Sequence, residues 1–312
     1  ATNRITALQN SCATNEITLN KHPGVSIVDP GVLTPATGSE YKVFTPYFRK
    51  WINASWRRQA VLPKTIEFGK TDHQFSLSQK SKDLLSISSS GYGGETSGSE
   101  KMNQWLSRSS NAYNSTKDVP YLDSTSHLSA FLHFGCISPL NLAIQAQSFP
   151  ETENFVRQLC WRDFFLQILA VRPDASINDY RNRNDIWAKD PESFIAWKEG
   201  KTGFPLVDAG MRQLKAEGFM HNRTRMVTAS FLVKDLYLDW RVGASHFMEH
   251  LIDGDIANNQ LGWQWVAGTG TDSNPHRILN PIRQSERFDP SGSYIQKWVP
   301  ELSGLTPKTI HD

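Results

Sequence analysis

Asp253-Gly254-Asp255-Ile256-Ala257-Asn258-Asn259-Gln260-Leu261-Gly262-Trp263-Gln264-Trp265 is the chemically densest stretch of this chain, and Gly268-Thr269-Gly270-Thr271-Asp272 follows at once. Two carboxylates, adjacent amides and two tryptophans within thirteen residues supply acceptors, donors and stacking surfaces. Held on glycine-punctuated backbone, such side chains suit a large, flat aromatic ligand with polar edges. A loop with a buried tryptophan pair accounts for any one of them. The whole string points to a ligand site.

Around this string the pattern is helical. Phe155, Val156, Leu159, Cys160, Phe164 and Ile168 recur at three- and four-residue steps and make one apolar face. Val207, Gly210, Met211 and Leu214 do the same, as do Met226, Ser230, Val233 and Leu236, with Pro173, Pro191 and Pro205 as punctuation. No alternating pattern of comparable length occurs here, so residues 101–312 are expected to be all-helical. Upstream, Val25-Ser26-Ile27-Val28 is a strand candidate before the turn Asp29-Pro30-Gly31. One strand has no sheet to join, and residues 1–35 are therefore expected to be the remnant of an α/β domain whose beginning is absent. Residues 36–100 are mixed and polar, and Leu84–Glu100 is rich in Ser and Gly, which predicts a flexible connector.

Composition bounds the function. With 38% hydrophobic and 21% charged residues, the chain has the profile of a soluble globular protein. No apolar run approaches the roughly 20 residues a membrane span needs. A net charge of +2 confines any nucleic-acid surface to a local basic patch. Cys12, Cys136 and Cys160 are odd in number and far apart, which predicts reduced thiols in the cytoplasm. Ten tryptophans invite a stacking or redox role for some of them.

Three further motifs carry chemistry. Tyr113-x-x-x-Lys117-Asp118-x-Pro120 leads into Thr125-Ser126-His127-Leu128-Ser129. Hydroxyls at a helix start cap the helix or hold phosphate. In Phe155–Phe165, Gln158, Trp161, Arg162 and Phe165 fall on neighbouring helix faces, and aromatic rings beside Arg suit a splayed nucleobase. The third motif is Gly218-Phe219-Met220-His221-Asn222-Arg223-Thr224-Arg225-Met226. Together with the 253–272 string, these motifs resemble the DNA photolyase and cryptochrome family over roughly residues 23–312, most densely after 113. Asn280-Pro281-Ile282-Arg283-Gln284 and Trp298-Val299-Pro300-Glu301-Leu302 continue the match.

The resemblance implies a helical FAD-binding domain. Tyr113, Thr125, Ser126, Leu128, Ser129 and Phe155 would hold FAD and its pyrophosphate, with His127 standing where the family carries Arg. Asn222, Arg225, Asp253, Gly254 and Asp255 would line the flavin, Arg225 pairing bidentately with Asp253. Asn259 falls beside flavin N5, where a neutral amide tolerates a protonated nitrogen. Trp263, Trp240 and Trp187 match the family's electron relay to the surface. Lys117, Gln158, Trp161, Arg162, Phe165, Arg223, Met226, Trp265 and Gln284 would face DNA. Gln158 replaces a Glu that serves repair enzymes, keeping a donor amide without a transferable proton. The branch implied is that of cyclobutane-dimer photolyases, acting as a monomer on UV-damaged DNA. With the α/β domain missing, no antenna pigment is expected. A cryptochrome-like photoreceptor that signals without repair is the alternative, and an inactive remnant is a third.

Two other motifs are set aside. Gly200-Lys201-Thr202 lacks the earlier glycine of a phosphate loop, since Ile195 stands there. His246-Phe247-Met248-Glu249-His250 matches the H-x-x-E-H of inverted zinc peptidases, but the motif is short and its third ligand unspecified. No metal is expected.

Overall fold

The computed structural model describes residues 2–61, 63, 65, 76, 78–86, 93–108 and 110–311. Among them it forms helices and no strand. The long helix Glu153–Val171 is the axis of a first core, and its apolar face is buried as the periodicity predicts. A second core gathers Leu206, Val207, Met211 and Leu214 of helix Pro205–Glu217, with Val227, Leu232 and Val233 from the next helical segment. Helix Ile256–Ala267 lies at the seam. Its Ala257 and Leu261 belong to the first core, and its Trp263, Val266 and Ala267 to the second.

Local chemistry starts and stops these helices. Pro191 and Pro205 begin theirs, where a missing N–H is harmless, and Asp190 caps the first through Ser193 N at 3.0 Å. Asp255 caps Ile256–Ala267 through Asn258 N at 2.8 Å. Gly268 ends it at φ +85, and a Cβ there would lie 2.2 Å from the Pro275 carbonyl oxygen, so only glycine fits. Helix Asn222–Ser230 widens over Phe231–Asp235, where Leu236 N reaches Phe231 O five residues back.

The first hundred residues depart from expectation. Val25–Val28 is not a strand: the Ile27 and Val28 N–H groups both donate to Asp163 Oδ2 at 2.9 Å, as does Trp51 Nε1. A buried carboxylate does the work a neighbouring strand would do; residues 2–35 hold helix Thr2–Thr14 and this anchored segment. Nor is 36–100 one connector. Helix Phe44–Ile52 packs against Glu153–Val171, with Phe44, Tyr47 and Trp51 buried in the first core. The Ser/Gly-rich part takes in the end of helix Gln79–Ser86 and the start of helix Gly94–Arg108, whose Gly98 packs against Phe131 and Ile137. Residues 87–92 lie outside the described set. The three cysteines are unpaired, and among the described residues no helix is long and apolar enough to cross a membrane.

Candidate flavin and nucleic-acid site

The seam opens into a cavity of about 600 Å³, within the range of built ligand sites. Its walls bring together residues scattered from 113 to 266. Tyr113, Lys117, Phe155 and the run Thr125–Ser129 form one side; Asn222, Arg225 and Asp253–Asp255 form another. Asn259 and Trp263 line it, and Gln158, Trp161, Arg162, Phe165, Arg223, Met226 and Trp265 complete the wall. Trp240, Trp187 and Gln284 do not border it.

Asp253 is the electrostatic centre. Burial alone would raise its pKa, but the Arg225 guanidinium, by charge and hydrogen bond, and the Ser129 hydroxyl hold it below the ordinary carboxylate value. The Arg225–Asp253 contact is a single bond, Nη2 to Oδ2 at 2.9 Å, because Arg225 Nε donates to Met220 O at 2.7 Å. The expected bidentate pair is thus corrected: the fork is split between a carboxylate and a backbone carbonyl. Asp253 Oδ1 is buried without a partner at hydrogen-bonding geometry. Asn259 donates through Nδ2 to Ala244 O at 2.9 Å, which fixes its amide and leaves its oxygen as an acceptor. A ring edge carrying N–H groups complements both acceptors.

The Asp123–His127 turn is held in unusual backbone. Asp123 and His127 both have positive φ, +46 and +51, and His127 Nε2 meets Asp123 Oδ1 at 2.6 Å. The imidazole also packs on Phe219 at 4.4 Å. Such strain persists where the surroundings impose it, commonly at ligand clamps. Behind it, burial pushes His221 down to about 4, and its neutral ring accepts from Arg223 N at 3.1 Å to start helix Asn222–Ser230.

Among the residues expected to face DNA, several cations are already engaged. Arg162 donates to the Val25 carbonyl. Arg223 binds Asp118 at 2.7 Å and lies over the Phe288 ring at 4.1 Å, while Lys117 pairs with Asp118 at 3.1 Å. Asp118, which the motif contains but which was given no role, therefore gathers two of the expected phosphate contacts. Trp161 stacks on Phe44 at 3.8 Å and 2°. Phe44 had been placed in the connector, although Phe44, Tyr47, Phe48 and Trp51 already show helical spacing.

The three tryptophans expected to form a relay differ in exposure. Trp263 is 3% exposed on the cavity wall, Trp240 is fully buried with Nε1 on Asp179 at 2.8 Å, and Trp187 is partly exposed. Trp187 packs on Tyr237 at 5.1 Å, and Trp263 also meets Trp197 at 6.0 Å. Gly243 makes the inner packing possible: a Cβ there would lie 2.3 Å from Trp263 Cη2.

The family model for the FAD binding domain of DNA photolyase matches residues 155–312. The chain belongs to the DNA photolyase and cryptochrome family. A deoxyribodipyrimidine photo-lyase of Streptomyces griseus is 48% identical over 293 residues, covering 92% of this chain and 64% of the relative. The chain therefore spans just under two thirds of that family member. A class III photolyase structure from Agrobacterium tumefaciens superposes with a TM-score of 0.84 at 33% identity, covering 99% of this chain and 68% of that one. A Synechocystis cryptochrome gives 0.81 at 29%, covering 97% and 67%. The cavity fits the family's flavin: Asp253 Oδ1 and Arg223 Nε, on residues of its wall, are buried polar atoms without partners, and a polar-edged ligand would satisfy such groups.

Proposed function

We propose that this chain holds FAD in its 600 Å³ cavity and serves light-driven repair of cyclobutane pyrimidine dimers in DNA. The observation that carries the reading is the convergence, in one cavity, of the Asp253–Arg225–Asn259 polar edge and the Gln158–Trp161–Trp265 mouth. When bound, reduced FAD would on photoexcitation supply the electron that opens the dimer ring and take it back afterwards. The protein's part is to hold and orient. Tyr113, Thr125, Ser126, Ser129 and the strained His127 hold the pyrophosphate side, with Leu128 and Phe155 behind them. Asn222 and the Gly254–Asp255 turn complete the flavin wall. Trp161, Phe165, Met226 and Trp265 receive the flipped bases, and flipping is cheapest at a damaged pair. Arg162, Lys117 and Arg223 approach phosphate while remaining tied to protein partners, and Gln284 contacts DNA outside the cavity. Trp187, Trp240 and Trp263 carry electrons inward. The protein acts as a cytoplasmic, DNA-associated monomer.

A photoreceptor without repair is the second reading, favoured by Gln158 and by the likeness to the Synechocystis cryptochrome. One assay separates them: load the chain with FAD, photoreduce it, and follow dimer loss from UV-irradiated oligo(dT) in light and darkness. Light-dependent loss supports repair. Photoreduction without dimer loss supports the photoreceptor, and failure to retain FAD refutes both.

A further inference from the structure

The H-x-x-E-H motif set aside as a peptidase signature folds into a set of metal donors. His246, Glu249 and His250 lie on the last turns of helix Trp240–His250, and one ligand atom from each falls within 4.8 Å of the other two. The imidazole centroids are 4.3 Å apart. His250 Nδ1 lies 2.9 Å from the His246 carbonyl oxygen. A carbonyl only accepts, so Nδ1 carries the hydrogen and Nε2 keeps its lone pair. Metal-bound histidines are oriented in the same way, the second nitrogen donating to a carbonyl or carboxylate. Glu249 is exposed and held from Ser245 Oγ at 3.3 Å, while His246 is braced edge-on against Trp197 at 5.6 Å. A helix C-terminus also favours a cation. Lys198, whose positive charge acts on His246, is drawn over the Phe194 ring at 4.8 Å.

We propose that His246, Glu249 and His250 form a binding site for one late first-row divalent ion, Zn²⁺ or Ni²⁺. Two imidazoles and a carboxylate suit these ions rather than Mg²⁺, and water completes the coordination. The site is separate from the flavin cavity but shares its scaffold. Ala244, whose carbonyl anchors Asn259, and Phe247, which lines the cavity, stand on the same helix. An ion bridging adjacent turns would fasten the end of that helix. Its role is to stiffen one flavin wall rather than to react.

Isothermal titration and thermal unfolding of the whole chain with Zn²⁺, Ni²⁺ and Mg²⁺ test this. One Zn²⁺ or Ni²⁺ should bind per chain and raise the melting temperature, and Mg²⁺ should do neither. Glu249→Gln with His250→Gln, at positions away from the core, should weaken binding at least tenfold and abolish the thermal shift. Co²⁺ should give visible bands without strong thiolate absorption, which excludes Cys12 and Cys136. No binding by the wild-type chain, or equal binding by the double variant, overturns the proposal. Neither outcome depends on flavin loading or repair, so the functional proposal stands or falls separately.

Discussion

Gly243 and Gly262 sit inside neighbouring helices and differ in what a methyl group would meet. At Gly243 a Cβ would lie 2.3 and 2.6 Å from Trp263 Cη2 and Cζ3, and 2.5 Å from Leu232 Cδ2. At Gly262 nothing lies within 4 Å. Replacing glycine by alanine in a helix gains about 1 kcal/mol of propensity in both cases. Overpacking against two rigid neighbours costs about 3 kcal/mol, the upper end of the usual range, because neither the indole nor buried Leu232 can swing aside. Gly243→Ala should therefore destabilise the flavin-free protein by about 2 kcal/mol, while Gly262→Ala stabilises it by about 1 kcal/mol. Urea unfolding followed by tryptophan fluorescence reads both shifts as midpoints at constant slope. Because Gly262 borders the cavity, its methyl should also weaken FAD retention even as it stabilises the chain. If the two variants have equal midpoints, the close packing of helix Trp240–His250 on Trp263 is wrong.

Other perturbations bear on chemistry and pH. Burial pushes the Asp163 carboxyl up to about 6 against the Val28, Trp51 and Ile27 N–H donors. The native state then binds a proton that the unfolded chain releases near 4, so stability should fall by up to about 3 kcal/mol as pH rises from 4 to 6, and level off above. Asp163→Asn should flatten that slope in pH-dependent urea titrations; an unchanged slope would exclude Asp163 as its source. Trp187→Phe should slow photoreduction by external thiol at least tenfold while sparing repair by chemically pre-reduced protein, and equal loss of both would indicate a folding defect instead. Gln158→Glu should raise dimers repaired per absorbed photon and change DNA affinity by less than about tenfold, one hydrogen bond's worth; an unchanged yield would show that a proton donor at position 158 does not govern repair.

The helical two thirds were legible because their apolar residues recur at helical steps, and the 253–265 string was legible because its residue types are dense and specific. The anchoring of Val25–Val28 was not. Its hydrogen-bond acceptor, Asp163, lies more than a hundred residues away, and no local pattern encodes such a partner. Helix Phe44–Ile52 was hidden for a different reason: its aromatic periodicity was present but overshadowed by polar surroundings. The cavity wall gathers most of the residues that the motifs single out, whereas the state of each side chain was not legible. That Arg162 holds Val25, that Arg223 holds Asp118, and that Arg225 divides its fork are tertiary facts. The three donors at 246–250 show the reverse case, in which a short motif carried real geometry and the enzyme class attached to it did not.

The parallel stack of Phe44 on Trp161 has a consequence for docking. An indole open on both sides can receive a planar guest from either. With one side sealed by another ring, half of those arrangements are removed before any guest arrives, and the indole cannot rotate without breaking the stack. Orientational freedom that would otherwise be lost at the moment of encounter is given up once, during folding. If Trp161 receives a guest as proposed, the side from which that guest approaches is set by a residue far upstream that never needs to touch it.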